Sequence, residues 1–508
     1  MDLLLDRTSS TPLRQQIVAA IRARIESGEW SPGTRLLSSR DLADRLGVNR
    51  TTVVQSYDEL TASGLLESGV GRGTFVRASG ERRDERDRPT ASGERPIATA
   101  PPRFPSASGP LAWADRLARG RPLPRLPAAD DATPRVALAR AVGHPTLYPV
   151  ERIKTALDRV FAARGRELLA YPSPAGYAPL REELARRLAR QGVDVARNEL
   201  VIVNGSQQGL DLIARLLLSE GGTVLTAQPS FSGALDLFRW HRAQLQGVPA
   251  GPAGFDLAAL DRTLAATQPR FAYVIPDRAN PTGLSLPAGA REALLERLQA
   301  ARVPVVEDDW LAELRRDDEP PPLKARDRDD QVLYLGTFSK VLAPGLRLGW
   351  LLVPKPLFEP LLALKKISDL ATNFPAQAVL HELLQSGFID SHARDLRVQF
   401  ERRRDAVDAA IDRHFPAAVR PLRPHSGMVC WIELPAGSDV ARLVEEARRE
   451  GIDIAPGAPF DAIGRAPPAF RLSYSAASEA ELEPAIARLG ALLHRQLLGG
   501  SHAAPPLV

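Results

Sequence analysis

Apolar residues Leu13, Ile17, Ile21 and Ile25 recur at every fourth position, which predicts one buried stripe of a helix that stops at Gly28 and Pro32. The stretch "LLSSRDLADRLG" opens with Ser38 and Asp41 at capping-box spacing, turns Leu42 and Leu46 inward and ends at Gly47. After a short turn at Val48, Asn49 is a good N-cap for a third helix with apolar positions Val53, Tyr57 and Leu60, ending at Gly64. Two short strand-like runs, "LLES" and "TFVR", follow and are joined through "GVGRG". Three helices with a tight turn between the second and third, then a glycine-rich hairpin, describe a winged helix-turn-helix over residues 1–77.

From about residue 136 the pattern changes. "LVIV", "TVLTA", "FAYVIP", "VPVVEDD" and "QVLYLGTFSK" are short apolar runs, and helical patterns such as "GSQQGLDLIARLLL" and "AREALLERLQAA" alternate with them. Such alternation predicts an α/β unit with a mainly parallel sheet and functional residues at the strand C-termini. We place this unit at 136–498, with a tail at 499–508. Residues 78–135 are rich in Pro, Ser, Gly and mixed charge without a periodic apolar face, and read as a flexible linker in which "LAWADRLARG" could form one short helix.

At 508 residues and 44% hydrophobic content the chain is globular and long enough for more than one domain. Its net charge of +5 is too small to argue for nucleic acid by itself, so DNA binding must rest on the local motif. That motif is present. Asn49, Arg50, Thr51 and Thr52 start the third helix, where side chains reach base edges and phosphates; Arg40 begins the second helix and Arg72 tips the wing. The single cysteine, Cys430, excludes an intramolecular disulfide and a cysteine-based zinc site, and it fits a reducing cytoplasm; no metal site is expected. No run approaches the roughly 18 apolar residues of a membrane span.

The chemistry centres on Lys340. Arginine supplies most of the positive charge in this chain, yet a lysine stands between an apolar run (Val332 to Leu335) and a Pro344–Gly345 turn. Only a lysine amine condenses with an aldehyde, because a guanidinium stays protonated. Thr337, Ser339 and Arg347 flank it with hydroxyls and a cation suited to a phosphate, the set that a pyridoxal phosphate Schiff base requires. Ser206 and Gln207 open a helix after Gly205, and its free N–H groups suit the same phosphate. Phe231 is either a ring-stacking residue or a core phenylalanine; Asn280 in "NPTG" offers an amide to a ring hydroxyl or simply makes a turn. Glu307, Asp308 and Asp309 end a buried strand, where one carboxylate facing a pyridinium nitrogen would offset the cost of burial. Arg471, in the apolar strand "FRLSYS", suits a substrate carboxylate.

The N-terminal stretch through "PGTRL…SSRDLADRLGVNRTTV" and "GRGTFVR" resembles the GntR-type winged helix, with Leu37 where that family usually has proline. The run from "YPSPAGYAPLREELARRL" through "GIDIAPGAPF" to "FRLSYS" resembles the fold-type I aminotransferases. In that order the two match the MocR/GabR family of bacterial regulators. The resemblance implies an internal aldimine at Lys340 and phosphate contacts from Arg347, Ser206, Gln207 and Ser339 or Thr337. It places Asp308 at the ring nitrogen, Asn280 at the ring hydroxyl, Phe231 on the ring and Arg471 at a carboxylate. It also implies a homodimer, operator DNA and an amine or amino-acid effector as partners, and a smaller domain from about Phe374, joined by a few residues before Tyr171. Two departures stand out: Trp310 replaces a tyrosine that donates to the ring hydroxyl, where its indole N–H could substitute, and Gly233 replaces an arginine common in these regulators. The alternatives are a working aminotransferase that carries a DNA-binding domain, or a DNA-binding protein whose C-terminal part is only a dimerisation body.

Overall fold

In the computed structural model, residues 5–6, 12–31, 33–62, 65–69, 73–76, 136–218 and 221–499 are described. Arg72, Gly64, Pro32, the 78–135 stretch with its "LAWADRLARG" segment, and residues 500–508 lie outside them. The chain divides into two compact units on either side of residue 105.

The first unit contains α1 (Leu13–Glu26), α2 (Ser39–Leu46), α3 (Arg50–Ala62), β1 (Leu66–Gly69) and β2 (Gly73–Val76). Ile17 and Ile21 of α1 are fully buried against Leu42, Val53, Tyr57 and Leu60, so the fourfold spacing does become one packed stripe. Ser38 caps α2 by accepting the Asp41 N–H at 3.2 Å while its hydroxyl donates to Asp41 Oδ2 at 2.7 Å. Gly47 ends α2 in the left-handed conformation at φ 61°. Asn49 Oδ1 accepts the Thr51 N–H at 2.9 Å and starts α3. β1 and β2 pair antiparallel from Leu66↔Val76 to Gly69↔Gly73, forming the wing. The carbonyl of Leu37 accepts the Tyr57 hydroxyl at 2.9 Å, so a core side chain steadies the loop at the position where proline is usual.

The second unit is built on an eight-stranded sheet in the order β4-β11-β10-β9-β8-β5-β6-β7. Its strands are β4 (Asn198–Val203), β5 (Gly222–Gln228), β6 (Ala243–Gly251), β7 (Gly254–Phe255), β8 (Pro269–Val274), β9 (Val305–Asp309), β10 (Val332–Thr337) and β11 (Gly349–Pro354). β6, β5, β8, β9 and β10 pair parallel; β11 runs antiparallel between β10 and β4, and β7 antiparallel to β6. The sheet is thus mainly parallel, and its central strands β8, β9 and β10 are buried almost without a break, as expected where helices cover both faces, while β6 toward the edge is buried only at Val248.

A smaller antiparallel sheet, β12 (Arg420–Leu422), β13 (Val429–Glu433), β16 (Ala469–Ser473) and β15 (Ala455–Pro456), packs on its own core. Its partner elements include β3 (Val136–Ala137), which pairs parallel with β14 (Ile452–Asp453), so residues just after the linker do join this smaller layer. Its start differs from the expectation at Phe374. Helix Phe374–Gln385 packs into the core of the large sheet, and helix Phe388–His414 contributes Ile389 to Phe400 there and Val407 to Ile411 to the smaller core. One 27-residue helix spans both cores, so the boundary falls inside it and leaves no composition shift in the sequence. Among the described residues, no helix is long and apolar enough to cross a membrane.

Candidate cofactor site and candidate DNA-reading surface

The C-terminal ends of β4, β5, β8, β9 and β10 converge on a cavity of about 180 Å³. It is lined by Ser206, Gln207, Phe231, Asn280, Asp308, Trp310, Thr337, Ser339, Lys340 and Arg347, together with Ile275 and Pro344. Every cofactor-site candidate read from the sequence is therefore brought into one place. A larger, charged cleft of about 660 Å³ around Arg187 and Arg316 holds none of them, and size alone does not mark the chemistry.

Strand register sorts the three carboxylates of β9. Glu307 accepts the N–H groups of Leu323 and Lys324, both at 2.8 Å. Asp309 is paired with Arg315 and accepts the Tyr334 hydroxyl at 2.9 Å. Asp308 points to the other face, as the period of two requires. Its Oδ2 accepts the Tyr273 hydroxyl at 2.7 Å, and its Oδ1 is buried without a hydrogen-bond partner. Burial raises the Asp308 carboxyl to about 7, against the opposing pull of the Tyr273 hydrogen bond. A buried acceptor with an unused oxygen facing a cavity is the group a protonated ring nitrogen needs.

Lys340 Nζ donates to the Ala141 carbonyl at 2.9 Å. Burial, reinforced by Arg471 and Arg347, lowers its ammonium to about 8, so a substantial neutral fraction exists near physiological pH. The phosphate end is a cradle. Gly205, at φ 76°, begins helix Ser206–Leu217, and a Cβ there would sit 2.6 Å from Arg347 Nη2. Arg347 itself lies at φ 51°, an uncommon conformation for a residue with a Cβ, and its guanidinium donates to the Asn204 carbonyl at 3.1 Å. Thr337 Oγ1 accepts the Ser339 N–H at 3.1 Å and sits 3.0 Å from the Leu348 carbonyl, so its hydroxyl is engaged by the turn that presents Lys340. Gln207 Nε2 donates to the Gly233 carbonyl at 3.2 Å, which leaves its backbone N–H at the helix start.

Asn280 Oδ1 accepts Arg471 Nη1 at 2.7 Å, Arg471 also donates to the Ala139 carbonyl, and its Nε is buried without a partner. Burial lowers the Arg471 guanidinium to about 10, still charged at neutral pH. One expectation fails here. The Trp310 N–H does not stand in for a phenol, because it is donated to the Arg278 carbonyl at 3.0 Å. Gly233 also gains a reason: a Cβ there would lie 2.6 Å from Phe231 Cζ, so its absence makes room for the Phe231 ring. Sequence reading missed Tyr273, which looks like a core aromatic, and the Ala139 and Ala141 carbonyls, which carry no side-chain signature.

In the first unit, Arg40, Asn49, Arg50 and Thr51 are all exposed around the starts of α2 and α3. Arg50 Nε donates to Ser39 Oγ at 3.4 Å, which draws the two helix starts together.

Residues 13–76 match the family model described as bacterial regulatory proteins of the gntR family, and residues 141–489 match aminotransferase class I and II. An uncharacterized HTH-type transcriptional regulator, YisV of Bacillus subtilis, is 31% identical over 94% of this chain and 96% of its own length. The chain belongs to the MocR-type transcriptional regulators. The probable rhizopine catabolism regulatory protein MocR of Rhizobium meliloti is 28% identical over 89% of this chain and 88% of its own. Enzymes share the second unit: the structure of LysN, an alpha-aminoadipate aminotransferase of Thermus thermophilus complexed with N-(5'-phosphopyridoxyl)-L-leucine, is 35% identical, covers 72% of this chain and 94% of its own, and superposes with a TM-score of 0.68. A MocR-type regulator thus combines a GntR DNA-binding domain with a fold-type I aminotransferase-like body.

Proposed function

We propose that this chain is a cytoplasmic DNA-binding transcriptional regulator that carries pyridoxal 5'-phosphate at Lys340 and senses an amine or amino acid there. The observation that carries the reading is the orphaned Oδ1 of Asp308, buried in the cavity that also holds Lys340. The bound cofactor supplies an aldehyde that a primary amine can occupy in place of Lys340, and a protonated ring that withdraws electrons. The protein does the rest. Asp308 holds the ring-nitrogen proton, Arg347, Ser339 and the N–H groups of Ser206 and Gln207 hold the phosphate, and Phe231 covers the ring. Asn280 Nδ2 is free to meet the ring hydroxyl while Oδ1 orients Arg471 toward a carboxylate. Arg40, Asn49, Arg50, Thr51 and Arg72 contact the operator, and residues 78–135 link 1–77 to 136–498.

A homodimer through the second unit fits its exposed apolar residues, Leu169, Tyr171, Ile367 and Leu370, which are 78%, 86%, 80% and 53% exposed. Effector binding changes DNA affinity only by its differential affinity for two arrangements of the chain. Cofactor-loaded protein titrated with a panel of amines and amino acids, with operator affinity followed in parallel, tests this; an effector that shifts the absorption of the bound cofactor should also shift DNA affinity. A second reading, a working aminotransferase with an attached DNA-binding domain, is favoured by the 35% identity to LysN. Steady release of keto acid in that titration would support it.

A further inference from the structure

Trp310 forms one wall of the cavity and is only 6% exposed. Its N–H is closed by the Arg278 carbonyl, so the indole can neither donate to a ligand nor turn away, and its ring centre is fixed 5.7 Å from Lys340 Nζ. An aromatic ring within about 6 Å attracts an ammonium through its quadrupole, more strongly where water is excluded. The charged groups around Nζ are unbalanced. Arg471 from β16 and Arg347 from the turn after Lys340 oppose positive charge there, and burial opposes it further. Asp308 from β9, itself bonded to Tyr273 of β8, favours it, and the carbonyl of Ala141 accepts its hydrogen bond. The indole face is an uncharged surface that favours positive charge at Nζ.

We propose that Trp310 is a positioning residue that holds positive charge on the Lys340 nitrogen, so that the bound cofactor stays in its protonated form through neutral pH. The inference rests on reading the cavity as the pyridoxal phosphate site. A bound pyridoxal phosphate would supply an aldehyde that the Lys340 amine joins with loss of one water, and at that nitrogen the indole would favour keeping the proton over releasing it. A proton on that nitrogen would leave the site more open to an incoming amine. Trp310 thus keeps the site receptive to amines without passing any proton itself.

The test is the pH titration of the visible absorption band in full-length, cofactor-loaded protein, for wild type, Trp310→Phe and Trp310→Leu, with bound cofactor quantified after release. The midpoint should fall in a graded order, by about half a pH unit for Phe, whose ring is a weaker platform, and by about one unit for Leu, which has none. A role in packing alone would change cofactor content or thermal stability without ordering the midpoints. Should the Leu variant fail to fold, the Phe variant still decides. Loaded variants with the wild-type midpoint would overturn this inference and leave the site reading intact. A wild type that takes up no cofactor would overturn both.

Discussion

Tyr273 gives its hydroxyl proton to Asp308 Oδ2 at 2.7 Å and so leaves Oδ1 as the buried oxygen without a partner. A neighbouring strand therefore holds in place the carboxylate that the register of β9 turns toward the cavity. Tyr273→Phe should raise the Asp308 carboxyl further above its usual range, because the hydrogen bond is a lowering influence on it. Because the bond is present without the cofactor, only its difference between free and loaded protein counts, and cofactor binding should weaken by up to about tenfold, near 1.4 kcal/mol. Equilibrium titration with pyridoxal phosphate measures it, and unchanged affinity would remove Tyr273 from the site.

The carboxylates of β9 also make stability depend on pH. Burial lifts Glu307 from 4.5 to about 8 and Asp308 from 3.8 to about 7. Between those limits the folded chain keeps protons that the unfolded chain has lost, so this contribution is complete at low pH and disappears as pH rises toward 8. Asp390, held low by Arg187, acts below this window. In cofactor-free protein, the difference in melting temperature between wild type and Glu307→Gln should therefore shift against wild type from pH 5 to pH 8. A pH-independent difference would contradict the buried, protonated Glu307.

Gly205 is the structural condition for the phosphate cradle. Gly205→Ala puts a Cβ 2.6 Å from Arg347 Nη2 at φ 76°, so either the guanidinium or the helix start must move. Cofactor affinity should drop about tenfold or more, a loss near 1.4 kcal/mol. Gly345→Ala, where a Cβ would meet nothing within 4 Å, is the control and should leave affinity nearly unchanged.

Much of this site was legible in the sequence because each candidate ends a strand in a parallel α/β pattern, and the ends of such strands meet by topology. Lys340, Arg347, Ser206 and Asn280 were found on that logic. The choice among Glu307, Asp308 and Asp309 was not fixed by residue type. It depends on which face of β9 meets the cavity: Glu307 is taken up by the Leu323 and Lys324 N–H groups and Asp309 by Arg315 and Tyr334 on the opposite face, where its own Oδ1 is also without a partner. Trp310 was misjudged because an indole N–H can turn either way, and the carbonyl that captures it belongs to Arg278, at φ 48°. The smaller domain's start was misplaced because a helix that packs on two cores has apolar positions throughout.

On the DNA side, Arg50 is exposed at the start of α3 and leans on Ser39. Arg50→Ala should weaken specific operator binding by about 1–3 kcal/mol and relax preference at one base pair if it reads a base edge. A uniform loss across DNA sequences, with a shallower salt dependence, would make it a phosphate contact instead.

On the proposed reading, one covalent link at Lys340 connects ligand to DNA. The most direct measurement compares wild type and Lys340→Ala, both saturated with pyridoxal phosphate, for the absorption response to amines and for operator affinity with and without them. The variant should lose the cofactor's protein-bound band and every effect of amines on DNA affinity, while its basal affinity stays close to wild type. A variant whose operator binding still responds to amines as wild type does would contradict it.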